Sequence, residues 1–147
     1  MGFSLPAAMG AAFFEKDRPV ISINGDGGFQ MNIQELATLE SYDLPVIIVV
    51  LNNSNLGMVK QWQDLFWKKR RSGTLFESSP DFIKIADAYG IPAYRTGLKD
   101  EVKPLIEKAL QHKGPILLEF MLDEDAYVYP MIPPGKEISD IIEGGEE

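Results

Sequence analysis

One stretch constrains the fold more than any other: Val46 to Leu51 is an unbroken apolar run rich in β-branched residues. A strand of that kind is apolar on both faces, which suits a central strand of a parallel sheet covered on both sides. The run is far too short to cross a membrane. The sequence on either side alternates strand and helix signals. Val20 to Asn24 reads as a short β-branched strand, Pro92 to Thr96 as another, and Pro115 to Leu122 as a buried one. Helical patterns occupy Leu5 to Glu15, Asn32 to Tyr42, Gly57 to about Lys69, Pro80 to Tyr89 and Asp100 to His112. That alternation predicts right-handed βαβ units and a parallel sheet.

Local signals set the expected boundaries. Ser4 is a candidate N-cap with Pro6 in the first turn, Asp43 and Pro45 end a helix, and Gly90 is a C-cap. Ser78 or Ser79 is expected to cap the helix from Pro80, and Asp100 the helix that follows. Ile33, Leu36, Ala37 and Glu40 fall at helical spacing. Met1 to Phe14 is apolar with no basic residue before it, so it reads as a packed helix rather than a signal peptide. Gly10, Ala11 and Ala12 would let that helix approach a neighbour closely. After Asp123 the pattern dissolves into prolines, with a short helix expected around Ile138 to Ile142.

Ligands of open parallel sheets sit beyond the carboxyl ends of the strands. That directs attention to Asp26, after the first strand, and Asn53, after the second. If the two strands are neighbours, both side chains emerge at one sheet edge. A carboxylate and an amide oxygen are hard ligands of the kind magnesium prefers, and a backbone carbonyl near Asn55 would supply a third. Gly25, Gly27 and Gly28 leave amide groups uncovered, and a helix N-terminus following them would favour an anion. Metal ligands beside an anion cradle suggest a diphosphate bridged to Mg²⁺. Each signal alone serves turn geometry as readily. The glycine spacing matches neither the dinucleotide fingerprint nor a P-loop.

Composition narrows the chemistry. The chain has 147 residues, enough for one core, and no cysteine, which excludes disulfides, thiolate metal sites and cysteine nucleophiles. Its single histidine, His112, falls at a helix end, where a capping or solvated role is expected. A net charge of -8 opposes binding to a nucleic-acid backbone. The acidic residues from Glu143 to Glu147 read as a solvated tail. No membrane partner is expected, and a cytoplasmic setting fits the absence of cysteine.

The pairing of Gly25-Asp26-Gly27 with Asn52-Asn53, across a helix and an apolar strand, resembles the signature of thiamine-diphosphate enzymes. Within them, the flanks resemble the acetolactate synthase (acetohydroxyacid synthase) large catalytic subunits. The matching stretches are Met1 to Ala8, Asn32 to Thr38, Leu56 to Gln63, Pro80 to Phe82 and Tyr129 to Gly135. The resemblance implies a thiamine-diphosphate-binding fold, an α/β three-layer αβα sandwich with a mostly parallel sheet. It implies that Asp26, Asn53 and Asn55 (the last through its carbonyl) bind Mg²⁺. Gly25, Gly27, Gly28, Leu56 and Gly57 would surround the diphosphate. Met58 would pack near the reacting end of thiamine, Met1 beneath it, and Trp62 would line the pocket for the second 2-oxo acid. Pyruvate and 2-oxobutyrate would be the substrates, and acetolactate or acetohydroxybutyrate the products, in branched-chain amino acid biosynthesis. One departure is the basic Lys68-Lys69-Arg70-Arg71, expected as a solvated helix end.

The resemblance also says what to seek elsewhere. The glutamate that activates the cofactor would lie on the pyrimidine-binding domain of a neighbouring catalytic subunit. Most FAD contacts would lie on a middle domain. The expected organisation is a cofactor domain over residues 1–122, starting within its own first element, and a C-terminal tail over 123–147. A chain of this extent is expected to be inactive alone, to need the remaining domains and a second catalytic subunit, and to form homo-oligomers, with a small regulatory subunit a further possible partner. Alternative readings are another thiamine-diphosphate enzyme (pyruvate oxidase, decarboxylase or carboligase) and a non-catalytic assembly module.

Overall fold

The computed structural model describes residues 1–15 and 17–144. The residues from 145 onward in the acidic tail lie outside the described residues. The elements are α1 (Ser4–Phe14), β1 (Val20–Gly25), α2 (Asp26–Gln30), a 3₁₀ turn (Ile33–Glu35) and α3 (Leu36–Ser41). There follow β2 (Val46–Asn52), α4 (Gly57–Phe66), α5 (Phe82–Ala88), β3 (Ala93–Thr96), α6 (Lys99–Gln111), β4 (Ile116–Met121) and a 3₁₀ turn at Ile138–Asp140. The four strands form one sheet in the order β1-β2-β4-β3, and all neighbours are parallel.

The apolar run of β2 sits in the interior of this sheet, and its two faces meet two different cores. Val46, Ile48 and Val50 pack with Leu117 against α1, α3 and α5 through Leu5, Met9, Leu36, Leu39, Phe82 and Ala86. Ile47 packs with Ile116, Leu118 and Phe120 against α6, where Ala109 is buried and Val102, Leu105 and Ile106 pack alongside. The result is the expected three-layer αβα arrangement. Burying each of these large aliphatic side chains contributes about 2 kcal/mol.

Several boundaries differ from the sequence reading, each for a local reason. Ser4 lies inside α1 rather than capping it; its hydroxyl meets that of Ser22, 3.0 Å away. Gly10 and Ala11 face solvent and only Ala12 is buried, so no close helix approach occurs there. Asp81, not a serine, caps α5, its carboxylate accepting the Ile83 N–H at 3.2 Å. Asp100 falls in the first turn of α6; the Leu98 N–H just before that helix is taken by Thr96 Oγ1 at 3.0 Å. The helix α4 stops at Phe66, because Lys68 and Lys69 adopt left-handed φ values of 54° and 57°. The basic cluster is therefore a loop, and its Arg71 turns back to fork onto Asp64 with two 2.8 Å hydrogen bonds.

Candidate functional site

β1 and β2 run side by side with Gly25 opposite Leu51, so both strands discharge at the same sheet edge. Asp26 opens α2 directly, with 2% of its surface exposed. Its Oδ1 accepts the Gly27 N–H at 2.9 Å. Its Oδ2 is buried with no hydrogen-bond partner. Burial raises the Asp26 pKa above the usual carboxylate value; the amides of Gly27, Ser54 and Asp26 itself pull it down, and the charge of Glu119 adds to the rise. The close approach of Gly27 to the Leu56 side chain places the turn after β2 against the turn after β1.

That second turn is tightly specified. Ser54 has a left-handed φ of 56°. The Asn52 side chain receives the Ser54 N–H at 3.0 Å. Asn55 is 2% exposed, and its Nδ2 donates to the carbonyls of Asn53 at 2.7 Å and Glu124 at 3.0 Å. Its Oδ1 is buried without a partner. The loop is held from outside as well: the Leu56 N–H donates to Thr74 at 2.8 Å and the Phe76 N–H to Ser54 at 3.0 Å.

The glycines are used differently from the sequence expectation. Gly27 and Gly28 lie within the five-residue α2 rather than ahead of a long helix. A Cβ on Gly27 would stand 2.8 Å from Leu56 Cδ2, so its bareness lets the two loops touch. A Cβ on Gly57 would stand 2.9 Å from Asn53 Nδ2. The longer helix starting at this edge is α4, whose first residue is Gly57.

The donor set fits a hard divalent cation. Two buried side-chain oxygens, on Asp26 and Asn55, have no protein partner, and an orphaned buried oxygen is costly unless something occupies it. Among the described residues no group of three His, Cys, Asp or Glu could hold a metal. A metal at this edge would therefore rest on one carboxylate with amide and backbone oxygens, the mixed oxygen sphere that magnesium accepts.

Along α4 two faces do different things. Met58 and Trp62, four residues apart, share one face. With Val59, Gln63, Trp67 and Arg70 they line an open hollow of about 440 Å³. Met58 is 68% exposed there. On the other face Lys60 and Gln61 are buried. Lys60 Nζ donates to the Glu124 carbonyl at 2.5 Å and pairs with Asp125. Gln61 exchanges two hydrogen bonds with the Val128 backbone, at 2.9 and 3.1 Å. Tyr127 donates to Asp64. Met1 stands 94% exposed, beside the segment after α2, where the Gly2 carbonyl accepts from Asn32.

The sequence reading thus named Asp26, Asn53, Asn55, Leu56, Gly57 and the three glycines, and these lie around the two adjoining turns. It quoted Asn52 only as part of the Asn52-Asn53 motif, with no role of its own, and it missed Lys60 and Glu119. Glu119 carried a signal, as a charged residue in the otherwise apolar strand Ile116–Met121. Lys60 carried none that separates it from a solvated helix residue.

Comparison with known proteins adds the family. The family described as thiamine pyrophosphate enzyme, C-terminal TPP binding domain, matches residues 1–120. A probable acetolactate synthase large subunit of Methanocaldococcus jannaschii is 46% identical over 97% of this chain and 24% of its own length. The acetolactate synthase isozyme 2 large subunit of Escherichia coli is 44% identical over 97% of this chain and 26% of its own length. A chloroplastic acetolactate synthase 2 of Nicotiana tabacum is 44% identical over 99% of this chain and 23% of its own length. The chain spans about a quarter of the length of the curated relatives it matches.

Proposed function

The chain belongs to the thiamine pyrophosphate enzymes, as their C-terminal TPP-binding domain, and from that premise we propose that it is the cofactor half of an acetolactate synthase. The observation that carries the proposal is the meeting of two parallel strand ends around unpartnered buried oxygens of Asp26 and Asn55. In this reading Asp26 and Asn53 hold Mg²⁺ through their side chains and Asn55 through its backbone carbonyl, and the diphosphate lies against Gly25, Gly27, Gly28, Leu56 and Gly57. Met58 and Met1 lie against the thiamine. When bound, thiamine diphosphate supplies an electron sink for decarboxylating a 2-oxo acid.

The chain's own residues do the binding and the sorting. The hollow beside Trp62 is large enough for a small 2-oxo acid and is walled by Met58, Val59 and two tryptophans. Such a wall favours an alkyl side chain by contact. Pyruvate is the donor, and pyruvate or 2-oxobutyrate the acceptor, giving acetolactate or acetohydroxybutyrate for branched-chain amino acid synthesis. The activating glutamate and most FAD contacts are assigned to other domains and a second catalytic subunit, so residues 1–122 work as a domain and 123–147 as its tail. A cytoplasmic homo-oligomer, with a small regulatory subunit, completes the reading. No helix among the described residues is long and apolar enough to cross a membrane.

The test is product choice. In the complete enzyme Trp62→Leu should shift the ratio of acetohydroxybutyrate to acetolactate several-fold, since one methylene in an apolar pocket is worth roughly tenfold or more in discrimination. An unchanged ratio would remove Trp62 from the acceptor pocket, and a complete enzyme that forms neither product would return the choice to pyruvate oxidase, decarboxylase or another carboligase.

A further inference from the structure

We propose that Glu119 is a positioning residue for the strand-end site: through the Asn52 amide it holds the left-handed turn at Ser54 that presents Asn53 and Asn55. Glu119 lies on β4 opposite Val50 of β2, and its side chain is fully buried. One carboxylate oxygen accepts from Asn52 Nδ2 at 2.7 Å. The other accepts from Arg95 Nε at 2.7 Å. Arg95 in turn donates to Asp81 at 2.8 Å, which caps α5. A chain of directed hydrogen bonds therefore runs from α5 through β3 and β4 to the end of β2.

The direction is what matters. Arg95 has only donors, and the Glu119 carboxylate paired with it offers acceptors. Glu119 must therefore receive Nδ2 of Asn52, which leaves Oδ1 of Asn52 to face the Ser54 N–H. Ser54 sits at φ 56°, in the left-handed region that a residue with a side chain occupies at a cost, so this bond helps keep the turn. The Asn52 carbonyl is also held, accepting the Leu122 N–H at 2.8 Å. Both polar ends of Asn52 are thus tied while the neighbouring Asn53 is left for the site.

An amide in place of the carboxylate reverses the logic. A glutamine at 119 must turn its oxygen to Arg95, so its NH₂ faces Asn52. Asn52 can satisfy that donor only by flipping, and the flip points its own NH₂ at the Ser54 N–H. The frustration is relieved if residue 52 is made acceptor-only. Glu119→Gln combined with Asn52→Asp restores an unbroken chain at equal charge and nearly equal volume.

The metal consequence rests on the proposed magnesium reading; the turn consequence does not. The test uses the 147-residue chain. Amide hydrogen exchange is followed by NMR without metal, and Mg²⁺ affinity is measured by calorimetry with thiamine diphosphate present. In Glu119→Gln, exchange at Ser54 should speed up at least about tenfold while Val50 and Leu118 keep their protection, and Mg²⁺ affinity should fall roughly tenfold to a hundredfold, as for other lost supports of metal ligands. The double variant should recover Ser54 protection. Unchanged Ser54 exchange in Glu119→Gln, or equal loss of protection throughout β2 and β4, would overturn the proposal. If the single variant does not fold, a folded double variant with Ser54 protected supports it and one with Ser54 unprotected overturns it. Wild type that binds no Mg²⁺ would defeat the metal reading, and Ser54 exchange would still decide the role of Glu119.

Discussion

At the scale of residues, surroundings separate carboxylates that stabilise the fold from one that keeps a buried oxygen unpartnered. Asp64 belongs to the first kind. The Arg71 guanidinium lowers its pKa to about 2, against the opposing effect of burial, with the Tyr127 hydroxyl adding to the drop. Tyr127 is correspondingly pushed up to about 12, by burial first and then by Asp64. A carboxyl with a depressed folded value stabilises the fold above its unfolded pKa and loses that contribution as pH falls. The loss should run from about pH 4 down to about pH 2, and the acid limb of unfolding should be shallower in Asp64→Asn across that window; parallel limbs would contradict it. Asp26 is of the second kind, buried with one oxygen unpartnered and its pKa raised. Asp26 and Asn53 were legible in the sequence because the two motifs pair across a helix and an apolar strand, although each alone reads as turn chemistry. Glu119 and Asn52 were not, because their meeting depends on the register that sets Val50 beside Glu119.

At the scale of elements, the strands and the spans of α1 and α6 were legible to within about a residue, while the caps and the end of α4 were not. An apolar run such as Val46 to Leu51 admits little choice. Helix ends are settled by individual hydrogen bonds that propensity does not reveal. The Trp67 to Arg71 stretch has good helix formers, yet the Arg71–Asp64 fork and two left-handed lysines turn it into a loop. The glycines show the same lesson. Gly57 looks like a poor choice for the first residue of α4, where alanine has the better helix propensity. Its missing Cβ makes room for the Asn53 amide, 2.9 Å away. Gly57→Ala should therefore leave the melting temperature within a few degrees of wild type while weakening Mg²⁺ binding about tenfold. Equal affinity would mean that Asn53 does not need its present position.

At the scale of the whole molecule, the sheet is finished on one side and open on the other. α6 covers the β2, β4 and β3 portion of its face, whereas Ile21 and Ile23 on the edge strand β1 are 47% and 62% exposed. An edge strand with a bare apolar stripe is a template for association. Sedimentation of the chain should show self-association that Ile23→Lys reduces; a monomer at all concentrations would contradict this. The parallel sheet was legible from strand–helix alternation and its three-layer form from the family resemblance, while the place of the exposed stripe was not, because it depends on β1 lying at the sheet edge. The central claim concerns the edge where β1 and β2 end, and calorimetry with thiamine diphosphate and Mg²⁺, a chelator control and Asp26→Ala tests it most directly. The account predicts binding that requires the metal and is lost with Asp26. Binding of thiamine diphosphate that persists in chelator or in Asp26→Ala would contradict it.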